Sequence, residues 1–303
     1  MSNSPYSFIQ HLSEAVFFSE WKQSFIVAFT AYFDASGHEE DPQMEVVSVA
    51  GFVAPSEVWN EFETKWKERI GQDGLQTFHM SACANLRYAF EGWQDLKRQR
   101  LLQDLINLIK PLSRKFGCTI PSKEYKAKLE ETLRQQFNFT AYVIAGRACA
   151  ARVREWTHRD TSPHIANVQF FFESGDKWQP ELRERLLADG FPEPIFKPKN
   201  DRYSTTGTLI ELGLVPFQAA DMLAYIIFLA EKFYRRNTDN WGDKESIHWM
   251  LEELLTAVEG QVNRFTLSDL QGLNVLMRAS SVDLLQSTTA IDSASLSPAS
   301  DTH

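Results

Sequence analysis

Phe25-Ile26-Val27-Ala28-Phe29-Thr30-Ala31-Tyr32-Phe33-Asp34-Ala35-Ser36-Gly37 is the stretch whose reading decides the fold. Residues 25–33 are almost wholly apolar, which predicts a strand buried on both faces. The run stops at Asp34. A carboxylate there is costly unless it is paired, solvated or bound to a cation. Taken alone, Asp34 reads equally well as a turn residue closing on Ser36 and Gly37.

Working outward, residues 45–54 are β-branched and apolar and predict a second strand, hairpinned to the first across the polar residues 38–43. A helix opens at Pro55 and runs to about residue 70, with Trp59, Phe62, Trp66 and Ile70 on one face. Thr77-Phe78-His79-Met80 reads as a short irregular piece. Helices are expected at 94–110, 140–157 and 179–188, and strands at 116–120, 168–172 and 205–212. Pro216 starts a hydrophobic helix through about residue 233, since Pro suits a first turn. Helical segments follow at 244–258 and 267–278.

Short links make the first strands antiparallel, and the later strands alternate with helices, which favours parallel addition. The expectation is an α/β fold with a five-stranded mixed sheet, helices on both faces, and a helical insertion at about 55–112 before the third strand. Residues 25–280 then form one domain with a helical C-terminal extension at about 244–280. Residues 1–24 are a lead-in, and the Ser-, Thr-, Ala- and Asp-rich residues 281–303 a disordered tail.

Composition narrows the function classes. The chain has 303 residues, of which 43% are hydrophobic, enough for a sizeable core. No apolar run is long enough to span a bilayer, and the N-terminus lacks a secretory pattern, so a cytoplasmic protein is expected. Cys83, Cys118 and Cys149 form no CxxC pair. The net charge of −9 weighs against tight nucleic-acid binding. Basic stretches at 97–100, 114–128, 147–159, 197–202 and 232–236 each read as solvated faces, or together as a groove if they converge.

Two further acids resemble Asp34 in setting. Glu173 directly follows the apolar run 168–172, and ligands gather beyond the carboxyl ends of parallel strands. Asp221 lies in Pro216-Phe217-Gln218-Ala219-Ala220-Asp221, where small neighbours let a helix approach the sheet. An acid in a first helical turn also satisfies the helix dipole without any chemistry. Asp176 reads first as a cap for the helix at 179–188. Three acids from separate segments suit a hard cation, Mg²⁺ or Mn²⁺. Two such ions about 4 Å apart can activate water and support a leaving oxygen.

These motifs resemble an uncharacterised bacterial and phage family of the ribonuclease H-like superfamily. That family opens on a strand ending Tyr-x-Asp-Glu-Ser-Gly and closes on a helix carrying Gln-x-Ala-Asp. The matching residues are Tyr32 to Gly37 and Pro216 to Tyr225, with Phe78-His79 and Phe172-Glu173-Ser174-Gly175-Asp176 between them. The resemblance covers roughly residues 25–235. It implies a nuclease-type fold with Asp34, Glu173 and Asp221 as catalytic metal ligands, supported by Ser36, His79, Asp176 and Gln218. Ala35 stands where the family has Glu. Successive strand residues face opposite sides, so residue 35 is expected to point away from Asp34. His79 reads first as structural, and in a functional role it moves protons near the leaving group. Trp93 and Trp178 read first as packing residues.

The leading expectation is therefore a metal-dependent nuclease acting on RNA or DNA. The alternatives are a catalytically degenerate nucleic-acid- or partner-binding protein, and a hydrolase of another phosphoester.

Overall fold

Strand β1 (Phe29–Ser36) pairs antiparallel with β2 (Val46–Pro55), Phe33 facing Gly51 and Asp34 facing Ala50. The computed structural model describes residues 29–37, 46–159, 168–235, 245–265 and 269–271. A Cβ on Gly51 would lie 1.8 Å from the Tyr32 carbonyl oxygen, so the two strands meet there only without a side chain. Strand β3 (Arg114–Pro121) adds antiparallel to β2. On the other side of β1, β4 (Val168–Glu173) and then β5 (Ile195–Lys197) add in parallel. A small hairpin, β6 (Arg202–Tyr203) with β7 (Leu209–Glu211), stands apart from this sheet. Strand β8 (Gly260–Arg264) runs parallel to β3 at the far edge. The six-stranded order is β5-β4-β1-β2-β3-β8, and β2 alone runs against the other five.

Helices α1 (Ser56–Gln72), α2 (Met80–Ala84) and α3 (Asp95–Ile109) form the expected insertion between β2 and β3. Helices α4 (Ser122–Lys128), α5 (Glu131–Gln136) and α6 (Ala141–Arg159) precede β4, α7 (Gln179–Ala188) follows it, and α8 (Pro216–Arg235) and α9 (Glu245–Ala257) come after the hairpin.

The period-two alternation of each strand divides the core into two layers. Tyr32, Phe52 and Phe171 face α1, α3, α8 and α9. Phe33, Val49 and Phe172 face α6 and α7. In the first layer Tyr32 stacks on Phe171 at 4.8 Å and meets Phe217 of α8 edge-on at 5.6 Å. Helix α8 lies close on the sheet because small residues face it. Ala219 and Ala220 are fully buried, Ser48 Oγ donates to the Ala224 carbonyl at 3.0 Å, and a Cβ on Gly117 would come within 3.0 Å of Ile227 Cδ1.

The structure corrects the strand assignment. The fifth strand of the sheet is the three-residue β5, not residues 205–212, which contribute β7 to the hairpin. There Tyr203, Leu209 and Ile210 are exposed, so this run lacks the buried face that an apolar strand in the sheet would have. The sixth strand, β8, is polar enough to escape a periodicity reading. The C-terminal helix is present: Met250 and Leu254 of α9 enter the first core layer. Buried Lys115 donates Nζ to the carbonyls of Leu255, at 2.7 Å, and Val258, placing a cation at the negative end of α9. Among the described residues, no helix is long and apolar enough to cross a membrane. The lead-in 1–24, the tail 281–303, residues 38–43 and nearly all of the helix expected at 267–278 lie outside the described residues.

Candidate functional site

Asp34 is the sixth residue of β1 and shares its face with Tyr32, toward α8. It lies inside the strand, because β1 extends past it to Ser36. Glu173 is the last residue of β4, and the parallel register that pairs Phe33 with Phe172 sets it beside Asp34. It shares its face with Phe171. Asp221 enters from α8 across the same face, and both aspartates are 3% exposed. The strand ends of β1, β4 and β5 thus bring Asp34, Glu173 and the residues after Lys197 to one edge, where a pocket of about 450 Å³ opens.

The centre of the trio is an ammonium group. Lys199 follows β5 by two residues. Its Nζ lies 2.6 Å from Asp34 Oδ2, 3.2 Å from Asp221 Oδ1 and 3.9 Å from Glu173 Oε1. Burial works against its charge, but the three carboxylates outweigh burial and raise its pKa above the usual lysine value. Asp221 is held below the usual carboxylate range. Burial alone would raise it, and Lys199, His79 and the Met80 amide more than compensate. Glu173, the least engaged by the lysine, is pushed above the carboxylate range by burial and by Asp34 and Asp221. One ammonium does not balance two buried carboxylates and a half-buried third, and the imbalance falls on Glu173.

The remaining residues hold this arrangement. Gln218 and Asp221 are three apart on α8 and therefore on one helical face. Gln218 Oε1 accepts the Trp66 indole N–H and the Phe78 amide, each at 2.9 Å. Asp221 Oδ2 accepts the Met80 amide at 2.7 Å and stands 2.8 Å from His79 Nδ1. The Phe78-His79 element is thus clamped to α8 by the two polar residues of the closing motif. The His79 side chain is 49% exposed and lines the pocket. Ser36 also lines the pocket, and its carbonyl accepts Ser48 Oγ at 3.3 Å. Asp176 stands at the pocket wall, but its Oδ1 accepts the Trp178 amide at 2.8 Å and does not cap the first turn of α7. Tyr142 reaches the pocket from α6. Burial, then Asp176, Asp34 and Glu173, push its hydroxyl pKa upward, keeping it protonated.

Ala35 packs against the opposite core layer, as expected from alternation, and also contributes to the pocket lining beside Asp34. Among the described residues, no group of three or more His, Cys, Asp and Glu is arranged to hold a metal ion directly. The donor set still fits a hard cation. Asp34 Oδ2 and Asp221 Oδ1 already converge on one positive centre, and the cluster carries more negative charge than Lys199 neutralises.

Among the described residues of the five basic stretches, only those of 197–202 line this pocket. Elsewhere Arg147 pairs with Asp189, Arg152 and Arg159 pair with Glu155, and Arg98 pairs with Asp95. Trp93 packs on Phe90 with Lys97 over its ring, and Trp178 packs against the second core layer. Lys199 was visible in the sequence only as part of a basic stretch. The strand that places it has just three residues, too short to show as an apolar run. Compared with known proteins, the chain matches no family model, and no curated protein or solved structure is similar to it.

Proposed function

We propose that the protein is a metal-dependent hydrolase of nucleic-acid phosphodiester bonds, built on a ribonuclease H-like sheet. The observation that carries this reading is the convergence of Asp34, Glu173 and Asp221, from three separate elements, on one cationic centre at the carboxyl ends of β1 and β4. The fold part is supported by the order β5-β4-β1-β2-β3 with β2 alone reversed. In this reading the three carboxylates hold Mg²⁺ or Mn²⁺. Held there, a divalent ion would lower the pKa of a water and polarise the phosphodiester. His79, oriented through Nδ1 by Asp221 and reaching the pocket, passes a proton to the departing oxygen.

Cleavage of single- and double-stranded DNA, RNA and hybrid substrates in Mg²⁺ or Mn²⁺ is the test. Asp34→Asn, Glu173→Gln and Asp221→Asn should each lower the rate by roughly a hundredfold or more, as expected when several kcal/mol of transition-state stabilisation is lost. Failure of the wild-type protein on every substrate removes the reading.

Lys199 favours one second reading, a nucleic-acid- or partner-binding protein without turnover, because the lysine already neutralises part of the cluster. That protein would bind nucleic acid with the same affinity after Asp34→Asn and would cleave nothing.

A further inference from the structure

The carboxylate trio was expected to hold two ions, yet a lysine occupies its centre. We propose that Lys199 is a built-in second cation, so that the site takes a single divalent ion where two would otherwise bind. The proposal rests on the hydrolase reading for the metal itself and adds the count of ions and the residue that sets it.

Three observations carry it. The Lys199 side chain is 8% exposed, and its nitrogen contacts the oxygens of Asp34 and Asp221 that face the site. The other oxygen of each aspartate is engaged, Asp34 Oδ1 with the Ala35 amide and Asp221 Oδ2 with His79 and Met80. Lys199 thus takes the place of an ion bridging the two aspartates, and the single divalent ion is left to Glu173, the carboxylate farthest from the ammonium at 3.9 Å.

Charge sets the same limit. One divalent ion and one ammonium balance three carboxylates. Two divalent ions beside the lysine leave excess positive charge even when Asp176 at the pocket wall is counted with the trio, a costly arrangement.

The lysine is also held in place by its backbone. The Ser174 amide donates to the Lys197 carbonyl at 2.8 Å and the Leu214 amide to the Pro198 carbonyl at 2.9 Å. Gly213 lies so close to Asn200 that a Cβ there would be 2.4 Å from its carbonyl carbon. Lys199 therefore acts as a positioning residue. It fixes Asp34 and Asp221 and contributes one positive charge that a second ion would otherwise bring.

The test counts Mn²⁺ on the purified full chain by calorimetric titration and by electron paramagnetic resonance, in the wild type, Lys199→Met and Lys199→Arg. The expected result is one ion per wild-type chain with the signal of an isolated Mn²⁺. Lys199→Met should take two ions with an exchange-coupled signal, and Lys199→Arg should return to one. Two ions on the wild type overturn the proposal and leave the hydrolase reading standing. No ion on the wild type overturns both. One ion on the wild type with an unchanged count in a folded Lys199→Met also overturns the role of the lysine. Should Lys199→Met fail to fold, Lys199→Gln carries the same count, and a single ion on folded Lys199→Gln overturns the role of the lysine.

Discussion

Gln218 shows how one side chain can hold a site without touching its chemistry. Its Oε1 accepts hydrogen bonds from Trp66 and from the Phe78 backbone, both buried. Gln218→Leu keeps the volume and removes the acceptor, and each orphaned donor costs about 1–3 kcal/mol. The urea midpoint should fall accordingly, and an unchanged midpoint would show that the clamp carries no stability. Cleavage should fall as well, because the Phe78-His79 element loses one of its two ties to α8. At this scale the sequence was informative about identity and silent about partners. Gln218, His79 and Asp221 were all singled out from the motifs, but their mutual contacts span 140 to 142 residues of chain and leave no local signal.

Between elements, α6 and α7 on the second face are joined by one carboxylate. Asp189, just past α7, accepts hydrogen bonds from Arg147 of α6 and Arg185 of α7, and its backbone carbonyl accepts from Arg154 at 3.0 Å. Burial alone would raise its pKa. Arg185 and Arg147 overcome this and hold it below the usual carboxylate value. A carboxyl whose folded pKa is depressed stabilises the fold fully above its unfolded value, near about 4. That contribution is lost as pH falls through the folded value. Urea midpoints measured from pH 6 downward should therefore drop more steeply below about pH 4 in the wild type than in Asp189→Asn. Parallel curves for the two proteins would refute this. The helices themselves were legible, since α7 has the bounds expected from the sequence and α6 nearly so. The pairing was not, because basic residues on a helix look alike whether solvated or bridged.

Across the whole molecule, the proposed metal site at the sheet edge predicts that stability depends on divalent ions. A ligand that binds only the folded chain stabilises it by about 2.7 kcal/mol at a hundredfold excess over Kd. Mn²⁺ should raise Tm in the wild type, EDTA should reverse the rise, and Asp34→Asn should abolish it. A Tm indifferent to Mn²⁺ would argue for the binding protein without turnover. This dependence follows from where the sheet is cut. β1 has the reversed β2 on one side and the parallel β4 on the other, and the carboxyl ends of β1 and β4 meet α8 and the segment after β5 at the pocket.

The sequence by itself determined the apolar strands β1 to β4, the long helices, the insertion between β2 and β3, and the three acids. Each of these is written in local periodicity or in a break from it. Asp34 and Glu173 stand out because each ends or interrupts an apolar run. Only the tertiary structure decided that the fifth strand is the three-residue β5, that a sixth strand closes the far edge, and that Lys199 fills the centre of the trio. A strand of three residues is specified by its neighbours' hydrogen bonds more than by its own pattern. An ion pair between residues 165 apart exists only once the sheet has brought them together.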